Sequence, residues 1–402
     1  MNTRPHVPWL SHMRGLSSLV VCAAHTYNAM VSPVTGLEFT GDKWMGALSY
    51  LAVYVFFVIS GYSIALSILS NKDRNAGRFA AREFAADRLA RLVPPLVAAL
   101  LVTVGVYLLV VGLALNGAGS YQLGGEKFLL RNKVALGWKD IATPLVFLQT
   151  VWLPHGVGMN GSLWSLSFEF WFYVMAGLFT LVAVNRDPRA ALLLLLLGTG
   201  YYYSNGTGRF HLWYLPVWCA GCLMAVGYHH ERLSARPLVR ALLAALALAS
   251  VAVLVRAVAR YGVTVFDVYR PGVPTPLVYA ALSVVIALLC GSAAVGRLGL
   301  GRVFNWASEY SYTLYVVHFP LLLLAMSLFR PVTHGWGFGP MLAVGTGIFV
   351  AINAFAYLLS RVVENRRTFR PVFQRAVRAL APERLSGAVT RALFRRLRHV
   401  PR

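Results

Sequence analysis

Met13-Arg-Gly-Leu-Ser-Ser-Leu-Val-Val-Cys-Ala-Ala-His-Thr-Tyr-Asn28 places a cation and an imidazole eleven residues apart at the entry to a long apolar run. Eleven residues make about three helical turns, so a helix puts Arg14 and His25 on one face, roughly 16 Å apart along its axis. With the helix starting near Arg14, His25 lies about halfway through a hydrocarbon core of roughly 30 Å. An ionisable group at that depth is costly and reads by default as functional. The stretch describes a membrane helix with a cation at its mouth and an acid/base group inside.

The rest of the 402-residue chain agrees. Hydrophobic residues make up 58% and charged residues 13%, with a mean hydropathy of +0.62. A soluble domain carries about 25% charged residues, so the composition describes an all-α integral membrane protein with little room for a soluble domain. Ten apolar runs are long enough, or nearly so, to cross: 14–33, 46–69, 93–115, 163–184, 190–204, 212–229, 238–258, 274–294, 309–329 and 339–361. The fifth falls below the roughly 17–25 residues of a usual span. Ala142–Leu153 is apolar but too short to cross and reads as interfacial or re-entrant. With the N-terminus inside, 27 of the 37 Lys and Arg residues fall in inside segments. The positive-inside rule then gives about ten transmembrane helices, N-inside and C-inside.

The formal charge of +23 is not read as nucleic-acid binding. Its basic residues cluster in alternate connections, and no soluble module presents a basic, aromatic face. Cys22, Cys219, Cys222 and Cys290 all lie in apolar stretches. Cys219-Ala-Gly-Cys222 has redox-motif spacing but no thioredoxin-like context, and reads as small-residue helix packing. The first run shows no clear cleavage pattern and reads as a retained helix. Residues 1–364 are expected to form one membrane unit and 365–402 a basic inner tail. In that tail Ala388–Arg398 reads either as an amphipathic helix on the anionic leaflet or as a solvated segment.

Five places carry candidate chemistry. His25 titrates near neutrality and suits proton transfer at a hydroxyl, against the alternative of a core imidazole bonded to a carbonyl. Phe56-Phe-Val-Ile-Ser-Gly-Tyr62 sets Ser60 and Gly61 near the midplane. Ser60 there would bond an acyl group or orient His25, unless the pair only packs helices. Arg88 and Arg91 are helical neighbours before Pro94-Pro95, which are expected to open the third span. They suit bidentate phosphate recognition, or else they only set topology. Gly161-Ser-Leu-Trp-Ser-Leu-Ser-Phe-Glu-Phe-Trp-Phe-Tyr173 holds one carboxylate, Glu169, with Ser165 and Tyr173 each four residues away and Ser167 between. Glu169 either pairs with an arginine or orients a substrate hydroxyl or a histidine. Ser308-Glu-Tyr-Ser-Tyr-Thr-Leu-Tyr-Val-Val-His-Phe-Pro320 puts Ser311, Tyr315 and His318 on one polar face, with a kink expected at Pro320. His25, Ser60 and His318 are expected at one level, with Glu169 nearer the outside. None of these places is read as a metal site.

Taken together in this order, these pieces resemble acyltransferase family 3, which includes O-antigen and exopolysaccharide O-acetyltransferases. The resemblance covers most of the chain. It implies about ten helices, an acyl-coenzyme A donor used as a co-substrate from the cytoplasm, and a sugar hydroxyl on a lipid-linked or exported glycan as acceptor. It makes His25 the catalytic base, with Glu169 and His318 beside it. Arg14, Arg88, Arg91, Ser60 and Gly61 fall on the donor side; Ser165, Ser167, Tyr173, Ser311 and Tyr315 fall on the acceptor side. Family members often carry a second acidic residue after the glutamate, where this chain has Phe170. Some also carry an appended extracytoplasmic esterase-like domain, so this membrane unit is expected to act alone or with a partner. The reading is a membrane O-acetyltransferase of the bacterial inner membrane, with membrane lipids around it and no bound cofactor. Two alternatives stay open: a secondary transporter or lipid flippase, and a non-catalytic scaffold for polysaccharide assembly. Sequence does not give the oligomeric state.

Overall fold

A computed structural model describes residues 8–35, 40–115, 134–153, 158–204, 211–229, 237–262, 265, 274–291, 304–333 and 335–380. The tail segment Ala388–Arg398 lies outside them. Among the described residues there are twelve helices of eight residues or more. They are α1 (Pro8–Met30), α2 (Thr40–Arg74), α3 (Ala81–Gly112), α4 (Trp138–Leu145), α5 (Trp164–Asn185) and α6 (Pro188–Tyr203). The second half adds α7 (His211–His229), α8 (Pro237–Tyr261), α9 (Thr275–Gly291), α10 (Ser311–Phe329), α11 (Phe338–Val363) and α12 (Arg366–Leu380). No β-strand occurs among the described residues; Gln149 and Leu153 form an isolated bridge.

Each of the ten apolar runs lies largely within one helix, α1–α3 or α5–α11. Among the described residues six stretches are long and apolar enough to cross a membrane: Trp44–Arg74, Ala81–Gly112, Gly161–Asn185, Ala241–Tyr261, Ser311–Phe329 and Phe338–Val363. Trp213–Gly227 and Thr275–Leu289 are shorter apolar helices. α1 has 23 residues but carries His12, Arg14, His25 and Asn28. The polar helix is central: α1 packs on α2, α10 and α11, while α2 lies against α7 and α9. α6 and α8 turn apolar side chains such as Leu195, Leu196, Leu248 and Val255 outward, as a lipid-facing helix does.

The third span begins earlier than its apolar run. α3 starts at Ala81, so Pro94 and Pro95 sit inside the helix and do not open it. Residues 81–92 are mostly strong helix formers, and Phe84, Ala86, Ala90 and Leu92 give them a buried face. The two prolines withdraw only the donors that would serve the carbonyls of Ala90 and Arg91. At 32 residues α3 is about 48 Å long, so its basic first turns project beyond a core of about 30 Å.

Two local devices set the framework around the centre. Gly61 of α2 and Gly221 of α7 cross face to face. A Cβ on Gly61 would lie 1.9 Å from the Trp218 carbonyl oxygen, and one on Gly221 2.0 Å from that of Val58. Cys222 Sγ completes the seam against Gly61 O at 3.2 Å, so the Cys219–Cys222 stretch is helix packing. In α10, Pro320 lacks the N–H that Val316 O would accept. Asn160 Nδ2 donates to that oxygen instead, at 2.9 Å. This bond draws the start of α5 into the bundle. Gln149 Nε2 adds a bond to Leu163 O at 3.0 Å, and Phe147 stacks on Phe170 with centroids 4.2 Å apart.

Candidate active site

One face of α2 organises the centre of the molecule. Phe56, Ser60, Ser63 and Ser67 recur at spacings of four, three and four residues, the period of one helical stripe. Each meets a different functional group. The Phe56 ring lies 5.5 Å from that of Tyr315. Ser60 Oγ donates to Glu169 Oε1 at 3.1 Å. Ser63 Oγ accepts from Arg14 Nη2 at 3.3 Å, and Ser67 Oγ from Arg88 Nη2 at 3.2 Å. A cleft runs along this stripe, lined by Arg14, Phe56, Ser60, Ser63, Arg91, Ser165, Glu169, Tyr173, Ser311, Tyr312 and Tyr315.

Glu169 is the carboxylate at the middle of the cleft. Its Oε1 accepts from Ser60 and from the Tyr173 hydroxyl. Trp218 Nε1 donates to Ser60 Oγ at 3.2 Å, so one serine ties α7 to α5 through α2. A buried carboxylate needs such donors, because an unpaired one costs several kcal/mol, on the order of the desolvation of an ion. One turn before Glu169, Ser165 Oγ and Tyr315 Oη are 2.8 Å apart.

The arginine end is assembled from four helices. Arg14 of α1 and Arg91 of α3 line the cleft. Arg88 is buried behind them, with its guanidinium 6.0 Å from the Tyr173 ring centre. Glu364, just after α11, accepts from Thr313 N at 2.9 Å and Thr313 Oγ1 at 2.7 Å. Burial holds Glu364 above the ordinary carboxylate value, against the Thr313 bonds and the charges of Arg91 and Arg14. Arg366, at the start of α12, is drawn down to about 9, above all by the charge of Arg91. It still carries its charge at neutral pH.

The histidines lie behind the other end. The rings of His25 and His318 stack with centroids 5.3 Å apart and planes at 27°. Phe319 closes on His25 edge-on at 5.7 Å. The Tyr315 ring, which lines the cleft, is 5.9 Å from that of His318. His318 Nδ1 faces two carbonyl oxygens, Tyr315 O at 2.8 Å and Leu314 O at 3.2 Å. Carbonyls only accept, so Nδ1 carries the proton and Nε2 of the neutral ring keeps its lone pair. His318 Nε2 and His25 Nδ1 are both buried without a hydrogen-bond partner. The lone pair on His318 Nε2, beside the stacked His25 ring, suits proton exchange with a hydroxyl.

The structure brings most of the sequence candidates together, with three differences. Ser60 does not join the histidines; it bonds Glu169, and Tyr315 stands between. Glu169 lies on the arginine side of Tyr315 and bonds Ser60, so it shares that level of the bundle. Gly61 faces α7 instead of the cleft, and Ser167 is fully buried away from it. Ser311 lines the cleft beside Tyr312. Sequence reading missed Ser63, Ser67 and Tyr312, although the α2 serines repeat at helical spacing in an apolar helix. It also missed Trp218, Glu364 and Arg366, which reach the site only through tertiary packing.

The family model for the acyltransferase domain matches residues 7–361 of the chain. The chain is 24% identical over 400 residues to the peptidoglycan O-acetyltransferase OatA of Listeria monocytogenes, covering 90% of this chain and 57% of that protein. It is 26% identical over 346 residues to YrhL of Bacillus subtilis, whose name provisionally assigns it to peptidoglycan O-acetylation; 80% of this chain and 50% of that protein are covered. An O-acetyl transferase of Shigella phage Sf6 is 25% identical over 208 residues, 51% of this chain and 55% of that protein. The chain thus spans about half the length of these relatives. No solved structure matches it significantly. The matched region holds the whole arginine-to-histidine cleft apart from Glu364 and Arg366, and the chain belongs to acyltransferase family 3.

Proposed function

We propose that this chain moves an acetyl group from cytoplasmic acetyl-coenzyme A to a hydroxyl of a glycan, across an inner bacterial membrane that it crosses about ten times with both termini inside. One observation carries the reading: a single cleft has arginines at one end and a stacked, bare-nitrogen histidine pair just behind the other. Arginine offers the planar, bidentate contacts that phosphates favour. The donor's phosphates sit at Arg14 and Arg91, with Arg88 behind, and its pantetheine arm runs past Ser63 and Ser60 toward Tyr315. The acceptor enters from the opposite face. Peptidoglycan is the acceptor class named for the two bacterial relatives, and a lipid-linked or exported polysaccharide offers the same hydroxyl chemistry.

His25 takes the acceptor's O–H proton as the oxygen attacks the thioester carbonyl. The new C–O bond forms, the C–S bond breaks, and the imidazolium returns the proton to the leaving thiolate. His318, with its lone pair facing the same space, orients the acceptor hydroxyl. A two-step route through acetyl-His25 uses the same groups. Residues 1–364 form the catalytic membrane unit in this reading.

The full chain in nanodiscs, given radiolabelled acetyl-coenzyme A and a soluble glycan acceptor, tests the proposal. Label is expected in the glycan with the wild type and lost with His25→Ala at equal protein level. Binding of acetyl-coenzyme A with no turnover in either case contradicts it and favours a transporter or scaffold.

A further inference from the structure

The helix that follows the last apolar span returns to the cleft. Asp87 and Arg91 are four residues apart on α3, and Arg366 and Arg370 four apart on α12, so each pair shares a face. Arg370 Nε donates to Asp87 Oδ1 at 2.5 Å. Asp87 is only 11% exposed and Arg370 46%, so the bond sits at the edge of the bundle with its acceptor covered. α3 enters the bundle in the direction Asp87 to Arg91, whereas α12 leaves it in the direction Arg366 to Arg370. The two helices are antiparallel here, and the Arg370–Asp87 bond fixes their register. One turn deeper than that bond, Arg366 faces Arg91.

The junction is pinned a second time. Glu364 holds the first turn of α10 through Thr313, next to the cleft residues Ser311 and Tyr312. The chain therefore has no slack between α11 and Arg366. The outcome is a crowd of like charges: Arg14, Arg91 and Arg366, with Arg88 behind. Arg91 is the largest single influence on Arg366, and only Glu364 opposes it there. Crowded guanidinium groups repel one another, and an oligo-anion seated among them turns that repulsion into binding.

We propose that Arg366, held in register by Arg370–Asp87 and Glu364, completes a polyphosphate site with Arg14 and Arg91. α12 is then a clamp over the phosphate-bearing end of the donor. This rests on the donor reading given above and names the residue that sequence alone does not connect to it. A nucleoside diphosphate with an additional phosphate monoester, the charged portion of coenzyme A, presents enough oxygens for three guanidinium forks. Arg366 is exposed, so replacing it leaves the packing of α12 intact.

The full chain in zwitterionic nanodiscs is titrated calorimetrically with coenzyme A, pyrophosphate and pantetheine. Arg366→Gln is expected to weaken coenzyme A and pyrophosphate about tenfold, with pantetheine unchanged. Arg366→Lys recovers part of the loss. Asp87→Arg or Arg370→Asp alone weakens coenzyme A, and the two together restore it, which a purely structural role for α12 does not require. Wild-type affinity in Arg366→Gln, alongside weakened binding in Arg91→Gln, overturns the clamp and leaves the donor reading standing. A wild type that binds neither coenzyme A nor pyrophosphate overturns both. An effect of Arg366→Gln seen only when anionic phospholipid is present assigns the residue to lipid headgroups and overturns the clamp.

Discussion

The two ends of the cleft are built on opposite principles. At the arginine end contacts run between helices: Ser63 bonds Arg14, Ser67 bonds Arg88, and Asp87 holds α12 through Arg370. At the histidine end the rings stack, and ring nitrogens are left bare. Cations near a wet mouth are redundant, and each adds a modest, salt-screened share of affinity. Buried ring nitrogens are not redundant in the proposed reaction, because each would have a distinct job there. Changes at the first end should therefore act on donor affinity by degrees. Changes at the second should act on the chemical step steeply.

The largest expected effect tests the dry end. His25→Ala should lower transfer by about 10²–10⁴ with donor affinity within about twofold. His318→Ala should lower it less, about 10–10², because its proposed role is to orient the acceptor. Single-turnover kinetics with acetyl-coenzyme A gives both values. A His25 variant that loses donor binding and keeps its rate of transfer would erase the difference between the ends.

Next comes the wet end. Arg91→Ala should raise KM for acetyl-coenzyme A about tenfold with kcat nearly unchanged, and Arg91→Lys should recover only part. Raising ionic strength should move wild-type KM in the same direction and leave kcat alone. A fall in kcat with KM unchanged, in Arg91→Ala, breaks the assignment of this end to donor phosphates.

Glu169→Gln lies between the two and sharpens the boundary. It removes a charge but keeps an oxygen that can accept from Ser60 and Tyr173. A few-fold loss shared by kcat and KM is expected, with the folded fraction preserved on size-exclusion chromatography. A loss as deep as that of His25→Ala would move Glu169 into the acid/base chemistry. The smallest expected effect is Ser63→Ala. It removes one hydrogen bond to Arg14, worth about 0.5–1.5 kcal/mol, and should raise KM two- to fivefold.

The helical fold was largely legible in the sequence because each span carries its own apolar run. The start of α3 was not, since residues 81–92 are helical through propensity and the cover of α12, and not through hydropathy. The histidine pairing of His25 with His318 was expected from their similar depth. The bonding of Glu169 to Ser60 was not, because it depends on how α5 packs on α2. Ser63 and Ser67 were readable from spacing alone, because they repeat with Ser60 on one face of α2. Arg366 was hidden for a different reason: one charge in a basic segment gains a role only from the register between two helices.

The most direct measurement is a paired determination of kcat and KM for acetyl-coenzyme A in His25→Ala and Arg91→Ala, in nanodiscs with a glycan acceptor. The expected result is a clean split, with kcat lost and KM kept in the first, and KM raised about tenfold with kcat kept in the second. Parallel loss of kcat and KM in both variants would contradict it, because the cleft would then not divide donor binding from chemistry.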